Sequence, residues 1–262
     1  MSALYSEVSG RGRRDLVLLH GWGSNLRVWD GLAAALARRF RLIAIDLPGH
    51  GRSDWDPAAH TPAAQAWRVH ETLAPLTTRY SLLGWSLGGQ FALDLAAALP
   101  AGIERLVLVA TTPRFLAAPG WVCGTPRASL ERLAAAVHSD PVRAVDGFLE
   151  LCVRGCAART RGLALATLRT ALIRHGRARP EALAWGLARL KEGDLRAMLP
   201  QVRRPALVIA GRLDRITRPG ASRALAAALP KGRYQSLAGA AHVPFLTHPG
   251  QFANLLRGFL RG

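Results

Sequence analysis

The chain is poor in lysine, in aromatic side chains and in long apolar runs. Only Lys191 and Lys231 are lysines among 35 basic residues, and 6% of the 262 residues are aromatic. No apolar run approaches the roughly 20 residues that cross a membrane. The first 12 residues also lack the apolar stretch of a secretory leader. We therefore expect a cytoplasmic protein that does not bind membranes.

Cysteine is scarce as well. Cys123, Cys152 and Cys156 are an odd number, and no histidine stands at metal-ligand spacing from them. Neither a disulfide framework nor a zinc site is expected from this pattern. We predict three reduced thiols.

Acidic residues are outnumbered two to one, with 17 against 35 basic residues and a net charge of +18. Such a charge attracts acidic partners, although an excess of arginine and alanine is also typical of a GC-rich coding bias. The sequence contains no RNP motif, no zinc-finger spacing and no basic region followed by heptads. Nucleic acid is therefore not a predicted partner.

Half of the residues are hydrophobic, which is enough for one large core. Strand-like apolar runs alternate with helical patterns up to residue 112 and again from residue 201, which predicts an α/β fold with a mostly parallel, doubly wound sheet. Between residues 113 and 200 the strand pattern stops, and helical stretches follow at about 129–136, 141–152, 159–174 and 180–191. We expect residues 1–112 and 201–262 to form the core. Residues 113–200 would form a helical cap over the strand ends, within one folded unit.

The sequence around Ser86 predicts a nucleophile. The segment Gly84-Trp85-Ser86-Leu87-Gly88 follows an apolar run at 81–83 and precedes a helical pattern at 90–98. A strand, a tight turn and a helix form the context of a nucleophile elbow, in which the turn lifts a strained serine hydroxyl above the sheet. Glycine is expected at positions 84 and 88 because a Cβ there would clash with the neighbouring helix or strand.

Two later loops carry the partners that such a serine needs. Asp214 follows an apolar strand pattern at 206–211, and His242 follows the last predicted strand. The order serine, acid, histidine is one that serine hydrolases use. His242 can take the proton of Ser86 near neutral pH and return it to the leaving group, while Asp214 fixes the imidazole tautomer. This chemistry needs neither a metal nor an organic cofactor, and we predict none.

Four motifs carry a family resemblance: Leu18-Leu19-His20-Gly21-Trp22-Gly23, the segment Asp46 to Ser53, the segment Leu83 to Gly89, and Ala240-Ala241-His242-Val243-Pro244-Phe245. With them the chain resembles the α/β-hydrolase family over its whole length. Within that family it is similar to the carboxylesterases of biotin synthesis, which hydrolyse the methyl ester of pimeloyl-[acyl-carrier-protein]. The two tryptophans at positions 22 and 85 and the run His242-Val243-Pro244-Phe245 narrow the resemblance to that group.

The resemblance implies roles for further residues. The backbone N–H groups of Trp22 and Leu87 would form an oxyanion hole. The residues implied in substrate binding are Trp22, Ser86, Leu87, Phe148, Leu149, Glu150, Leu151, Cys152 and His242. The chain departs from the family pattern twice, with Cys152 where a glutamine is usual and His50 where a phenylalanine is usual. We expect His50 to be structural or to line the rim of the site.

The resemblance also implies an acidic acyl carrier protein as partner, and Arg143 matches one of the cap arginines that grip it. No acidic residue stands between Glu150 and Glu181, whereas seven arginines do. Arginine binds phosphate and carboxylate groups in two-pronged fashion, so this field would steer an acidic carrier. The candidate carrier contacts are Arg143, Arg154, Arg159 and Arg161. The alternative is that these arginines face solvent and bind nothing specific.

Other functions fit the same motifs. A general small-ester esterase, a lactonase and a C–C bond hydrolase share this fold and catalytic order. A non-catalytic hydrolase-like binding protein is the alternative from a different class. An intact triad disfavours it, and the serine at the elbow disfavours dehalogenase and epoxide hydrolase activities, which need an aspartate there. We expect a monomer.

Overall fold

A computed structural model describes residues 3–261 of the chain. Seven strands form one sheet in the order β1-β3-β2-β4-β5-β6-β7. β1 runs antiparallel to β3, and the other neighbouring strands are parallel. The predicted α/β fold with a mostly parallel, doubly wound sheet is confirmed. The strands are β1 (Ser6–Ser9), β2 (Arg14–Leu19), β3 (Phe40–Ile45), β4 (Tyr80–Trp85), β5 (Ile103–Val109), β6 (Ala206–Gly211) and β7 (Gly232–Leu237).

The central strands are mostly apolar, as expected of strands covered by helices on both faces. All six residues of β4 and all six of β6 are buried. The helices are α1 (Asp30–Leu36), α2 (Pro62–Leu73), α3 (Leu87–Ala98), α4 (Arg127–Ser139), α5 (Pro141–Cys152), α6 (Ala158–His175), α7 (Pro180–Glu192), α8 (Pro219–Ala228), α9 (Pro244–Thr247) and α10 (Pro249–Leu260).

The strand order places a crevice between β2 and β4. From β2 the chain crosses to β3 on one side, and β4 then returns to the other side of β2. Ligands of open α/β sheets bind at such a switch point, outside the carboxyl ends of the strands. The loops that follow β2 and β4 carry Trp22 and Ser86, so both of these residues lie at this crevice.

Four consecutive helices, α4 to α7, lie between β5 and β6, and we call residues 127–192 the helical insertion. Its helices begin and end within three residues of the predicted ranges. A buried ion pair ties the insertion to the core, because Arg189 of α7 donates to Asp94 of α3 over 2.6 Å. The division into core and cap stays a prediction.

The sequence pattern at 28–40 predicts a single helix, and this prediction is wrong in both its limits. A 3-10 turn at Leu26–Trp29 comes first, and the Asn25 side chain starts it by accepting a hydrogen bond from Arg27 N. The α-helix then ends at Leu36, because Phe40 already pairs with Arg14 as the first residue of β3. The sequence analysis also missed the short α9, which directly follows the loop of His242.

No helix within residues 3–261 combines the length and the apolar character needed to cross a membrane. Cys123, Cys152 and Cys156 are free thiols, as predicted.

Candidate active site

Ser86 stands in a strained backbone conformation between β4 and α3. Its φ of 54° and ψ of −116° lie outside the regions that L-residues normally adopt. Three backbone hydrogen bonds hold it there. Ser86 N–H donates to Val109 O over 2.8 Å, and Ser86 O accepts from Gly89 N (2.9 Å) and from the Thr111 hydroxyl (2.7 Å). The predicted strand, tight turn and helix are therefore present around this serine.

The two glycines of the motif are explained by close backbone approach. A Cβ on Gly84 would lie 2.3 Å from Gly88 O, in the following helix. A Cβ on Gly88 would lie 2.4 Å from His20 O and 2.5 Å from Leu19 O, at the end of β2. Any side chain at either position would push the helix away from the strands, and the elbow would lose its geometry.

His242 and Asp214 meet below the same crevice. His242 Nδ1 lies 2.8 Å from Asp214 Oδ2, and both side chains are fully buried. The second carboxylate oxygen of Asp214 accepts from the backbone N–H groups of Ile216 (2.8 Å) and Thr217 (3.0 Å). These donors fix the carboxylate, and the carboxylate fixes the imidazole with a proton on Nδ1. Nε2 of His242 is buried and has no hydrogen-bond partner among the described residues, so it forms no hydrogen bond with the Ser86 hydroxyl in this structure.

The loop of His242 is held from two sides. Its backbone carbonyl accepts from Trp85 Nε1 over 2.9 Å, and Trp85 directly precedes Ser86. Its backbone N–H donates to the carbonyl of Cys152 over 3.0 Å, at the end of α5. Both the nucleophile strand and the helical insertion therefore position this loop.

Trp22 and Leu87, the predicted oxyanion-hole residues, pack on one glycine of the insertion. A Cβ on Gly186 of α7 would lie 2.6 Å from Trp22 Cδ1 and 3.3 Å from Leu87 Cδ2. Trp22 Nε1 donates to Leu183 O over 2.9 Å. Leu87 is the first residue of α3, where a backbone N–H has no carbonyl partner within the helix. The role of the two backbone N–H groups as an oxyanion hole stays a prediction.

Two buried histidines tie the Trp22 loop to the loop after β3. His20 Nδ1 lies 2.8 Å from Gly21 O, and its Nε2 accepts from Leu47 N over 2.9 Å. His50 Nδ1 lies 3.0 Å from Pro48 O, and its Nε2 accepts from Gly23 N over 3.2 Å. Each ring must therefore be neutral with its proton on Nδ1. Burial lowers the pKa of His20 well below its usual value and that of His50 to about 4, which favours this state. His50 is structural, as one of our two expectations had it, and does not lie at the rim.

Asp46 anchors the far end of α6 beneath the same loops. Its carboxylate accepts from Leu26 N (2.8 Å) and Arg52 N (2.9 Å) and lies 2.7 Å from His175 Nε2. Asn25 adds two bonds of 2.9 Å to the last carbonyls of this helix segment, at Ala171 and Gly176. The sequence analysis missed this cluster, although the Asp46 to Ser53 motif contained one half of it.

The side chains of the segment Phe148 to Cys152, implied in substrate binding, lie on different faces of α5. Phe148 packs edge-on against Trp22 and His242, with ring centroids 4.9 and 6.3 Å apart. Phe148 and Leu151 line a groove of about 630 Å³ between α4 and α5. Leu149 and Cys152 are buried in the core, and burial raises the pKa of the Cys152 thiol well above its usual value. Glu150 lies on the surface and binds Arg169 over 2.8 Å.

Four arginines line this groove, which we call the arginine groove. Its apolar floor includes Phe115, Leu130 and Phe148. Two of the predicted carrier contacts, Arg143 and Arg154, lie along it, whereas the exposed Arg159 and Arg161 of α6 do not. The sequence analysis missed the other two, which are Arg132 of α4 and Arg215. The position of Arg215 directly after Asp214 could have suggested it.

The alpha/beta hydrolase fold family matches residues 16–249. The pimeloyl-[acyl-carrier protein] methyl ester esterase of Nitrosomonas europaea is 40% identical over 255 residues, which cover 97% of this chain and 98% of that protein. The protein of the same name from Stenotrophomonas maltophilia is 39% identical over 260 residues, 99% of this chain and 97% of that one. Among solved structures, a hydrolase from Pseudomonas aeruginosa superimposes with a TM-score of 0.82 at 31% identity, covering 98% of this chain and 94% of that one.

Proposed function

This chain belongs to the alpha/beta hydrolase family, and we propose that it is a serine carboxylesterase that removes the methyl group from pimeloyl-[acyl-carrier-protein] methyl ester in biotin synthesis. The observation that carries the chemistry is the buried pair of His242 and Asp214, with the His242 carbonyl bonded to Trp85, the neighbour of the strained Ser86. The full-length similarity to esterases of that name supports the substrate.

The reaction we infer uses two displacements. The hydroxyl of Ser86 attacks the ester carbonyl while His242 Nε2 takes its proton. The tetrahedral oxyanion is bound by the N–H groups of Trp22 and Leu87, and His242 returns the proton to the departing methoxide as methanol leaves. Water then attacks the acyl-enzyme, with His242 again as the base. The products are the free acid and Ser86 in its original form.

The arginine groove supports a carrier-borne substrate. Phe148 lines the groove and its ring packs against that of His242, so we place the acyl chain on the apolar floor with its ester directed to Ser86. Arg143 and Arg154 are exposed along the same groove and suit the phosphate of a carrier-bound arm. Arg159 and Arg161 lie beyond the groove, where only the carrier itself would reach them. A cytoplasmic monomer without bound nucleic acid or membrane fits this proposal and stays a prediction.

The test compares two substrates. We expect kcat/KM for pimeloyl methyl ester on an acyl carrier protein to exceed that for free methyl butyrate by at least about 10²-fold, because remote contacts of the carrier contribute binding energy. Equal values for both substrates would favour a general esterase. Faster turnover of a lactone than of either ester would favour the lactonase alternative.

A further inference from the structure

A second cavity lies on the other side of α4. It has a volume of about 750 Å³ and is lined mainly by apolar side chains of α4 and α7, among them Val137 and Leu187. We call it the α4/α7 cavity. The arginine groove, on the opposite side of α4, has about 630 Å³. Helix α4 is therefore flanked by open space along both sides, and Leu130 and Val137 are its only buried side chains.

Leu130 is the one described residue that lines both cavities. It points inward from α4 with 5% of its surface exposed. Val137, seven residues further along α4, lines only the α4/α7 cavity and not the arginine groove. Leu133 lines only the arginine groove and not the α4/α7 cavity. The side chain of Leu130 thus stands where the two spaces meet beneath the helix.

We propose that Leu130 is a specificity-determining residue, which limits the length of the acyl group by closing the arginine groove against the α4/α7 cavity. The inference rests on the proposed function in that it places the acyl chain in the arginine groove. An alkyl chain that reaches Leu130 meets a wall, and further methylenes must turn out toward solvent. Without the side chain beyond Cβ, the same methylenes enter an apolar cavity large enough for several of them.

The size of the effect follows from burial. Each methylene that becomes buried strengthens binding by roughly fourfold. Two or three more methylenes accommodated in the α4/α7 cavity should therefore favour a long chain by about 10-fold or more. Because Leu130 also belongs to the floor of the arginine groove, its loss should affect every acyl substrate, and the decisive quantity is the ratio between two chain lengths.

The experiment measures kcat/KM for p-nitrophenyl hexanoate and decanoate. In Leu130→Ala the ratio of decanoate to hexanoate should rise by about 10-fold or more. Leu130→Phe fills the junction and should lower the ratio below that of the wild type, so the two variants act in opposite directions. Val137→Ala is the matched control, because it enlarges the α4/α7 cavity without opening it to the groove, and its ratio should not change.

A binding arm separates this inference from the esterase proposal. Calorimetric titration of hexanoate and decanoate into Ser86→Ala and into Ser86→Ala with Leu130→Ala needs no turnover. A rise in relative decanoate affinity only in the double variant would support the inference even if the wild type hydrolysed no ester, a result that would reject the proposed function alone. Unchanged ratios in folded Leu130→Ala, or an equal rise in Val137→Ala, would overturn the inference.

Discussion

The floor of the crevice, by which we mean Ser86, His242 and Asp214, is held in place by other interactions than the helical insertion, and the two regions serve different tasks. At the floor, Ser86, His242 and Asp214 are held mainly by backbone hydrogen bonds and glycine contacts, and the imidazole and carboxylate are fully buried. In the insertion, Arg132, Arg143 and Arg154 are exposed, and the helices leave open grooves on both sides of α4. A geometry defined by backbone contacts tolerates little change, whereas recognition by long charged side chains can be altered one residue at a time. Catalysis and substrate choice should therefore respond separately to mutation.

The sharpest test of this separation is removal of the chemistry. Ser86→Ala should lower kcat/KM by at least about 10³-fold for the carrier-linked ester and for a free short-chain ester alike, because every substrate needs the nucleophile. His242→Ala should act to a similar degree. The measurement is steady-state kinetics on both substrates, with circular dichroism to verify the fold. A loss confined to one substrate would show that the two substrates do not share Ser86 as their nucleophile.

The next largest effect is expected from a substitution in the insertion that contacts a residue of the proposed catalytic site. Gly186→Ala places a methyl group 2.6 Å from Trp22 Cδ1, so α7 or Trp22, a proposed oxyanion-hole residue, must shift. Because small misplacements of catalytic groups are costly, we expect kcat to fall by about 10- to 10²-fold on both substrates.

The control is Gly162→Ala in α6, where an added Cβ meets nothing within 4 Å. It should keep full activity, and helix propensity predicts a gain of up to about 1 kcal/mol in the free energy of unfolding. Equal activities of the two alanine variants would show that α7 does not position Trp22.

Charge reversal should affect one substrate only. We expect a triple variant with Arg143→Glu, Arg159→Glu and Arg161→Glu to raise KM for the carrier-linked ester by about 10-fold at low salt, and by less at physiological salt, where the Debye length is about 8 Å. The free short-chain ester should be unaffected.

The matched control reverses Arg11, Arg38 and Arg39, which are exposed just before β2 and β3 begin and change the net charge equally. Paired kinetics over a salt series decides between the two. If both triple variants weaken the carrier-linked reaction equally, the total charge matters and the placement of the arginines does not.

The smallest effect concerns the histidines beneath the Trp22 loop. Burial lowers the pKa of His50 from 6.5 to about 4. Between these two pH values the unfolded chain is protonated at His50 and the folded protein is not. The stability contributed by His50 is complete above pH 6.5 and is lost as the pH falls from 6.5 toward 4, with a slope of up to about 1.4 kcal/mol per pH unit.

His50→Gln can still accept the bond from Gly23 N but cannot titrate. Urea unfolding between pH 7.5 and 5 should therefore show a shallower loss of stability in this variant than in the wild type. Identical slopes would mean that His50 takes up its proton as readily in the folded protein as in the unfolded chain, against the hydrogen-bond pattern.

The sequence was informative where local rules decide the structure. The elbow around Ser86 was predictable because glycine spacing, an apolar strand and a helix occupy one short segment. Helix α5 was predicted with its observed limits, because Asp140 caps it and Pro141 begins it. The positions of the strands followed from apolar runs that any central strand must have.

Contacts between segments that are distant in the chain could not be predicted from the sequence. His175 and Asp46 are 129 positions apart, and nothing local in either marks the other as its partner. The groove position of Arg132 depends on how α4 packs on α5, which no periodicity specifies. For the same reason the face of α5 that carries Glu150 was not separated from the face that carries Phe148.

The hydrogen bond from His242 N–H to the carbonyl of Cys152 has a consequence for chimeric proteins. The helical segment is fastened to the very loop that carries the proposed base, so a foreign segment exchanged at the ends of β5 and β6 would also replace one of the two supports of that loop. A working chimera has to retain the last turn of α5 together with the core that it supports. Exchange limited to α4 leaves both supports of the base in place, and it is the more promising route to new substrate ranges.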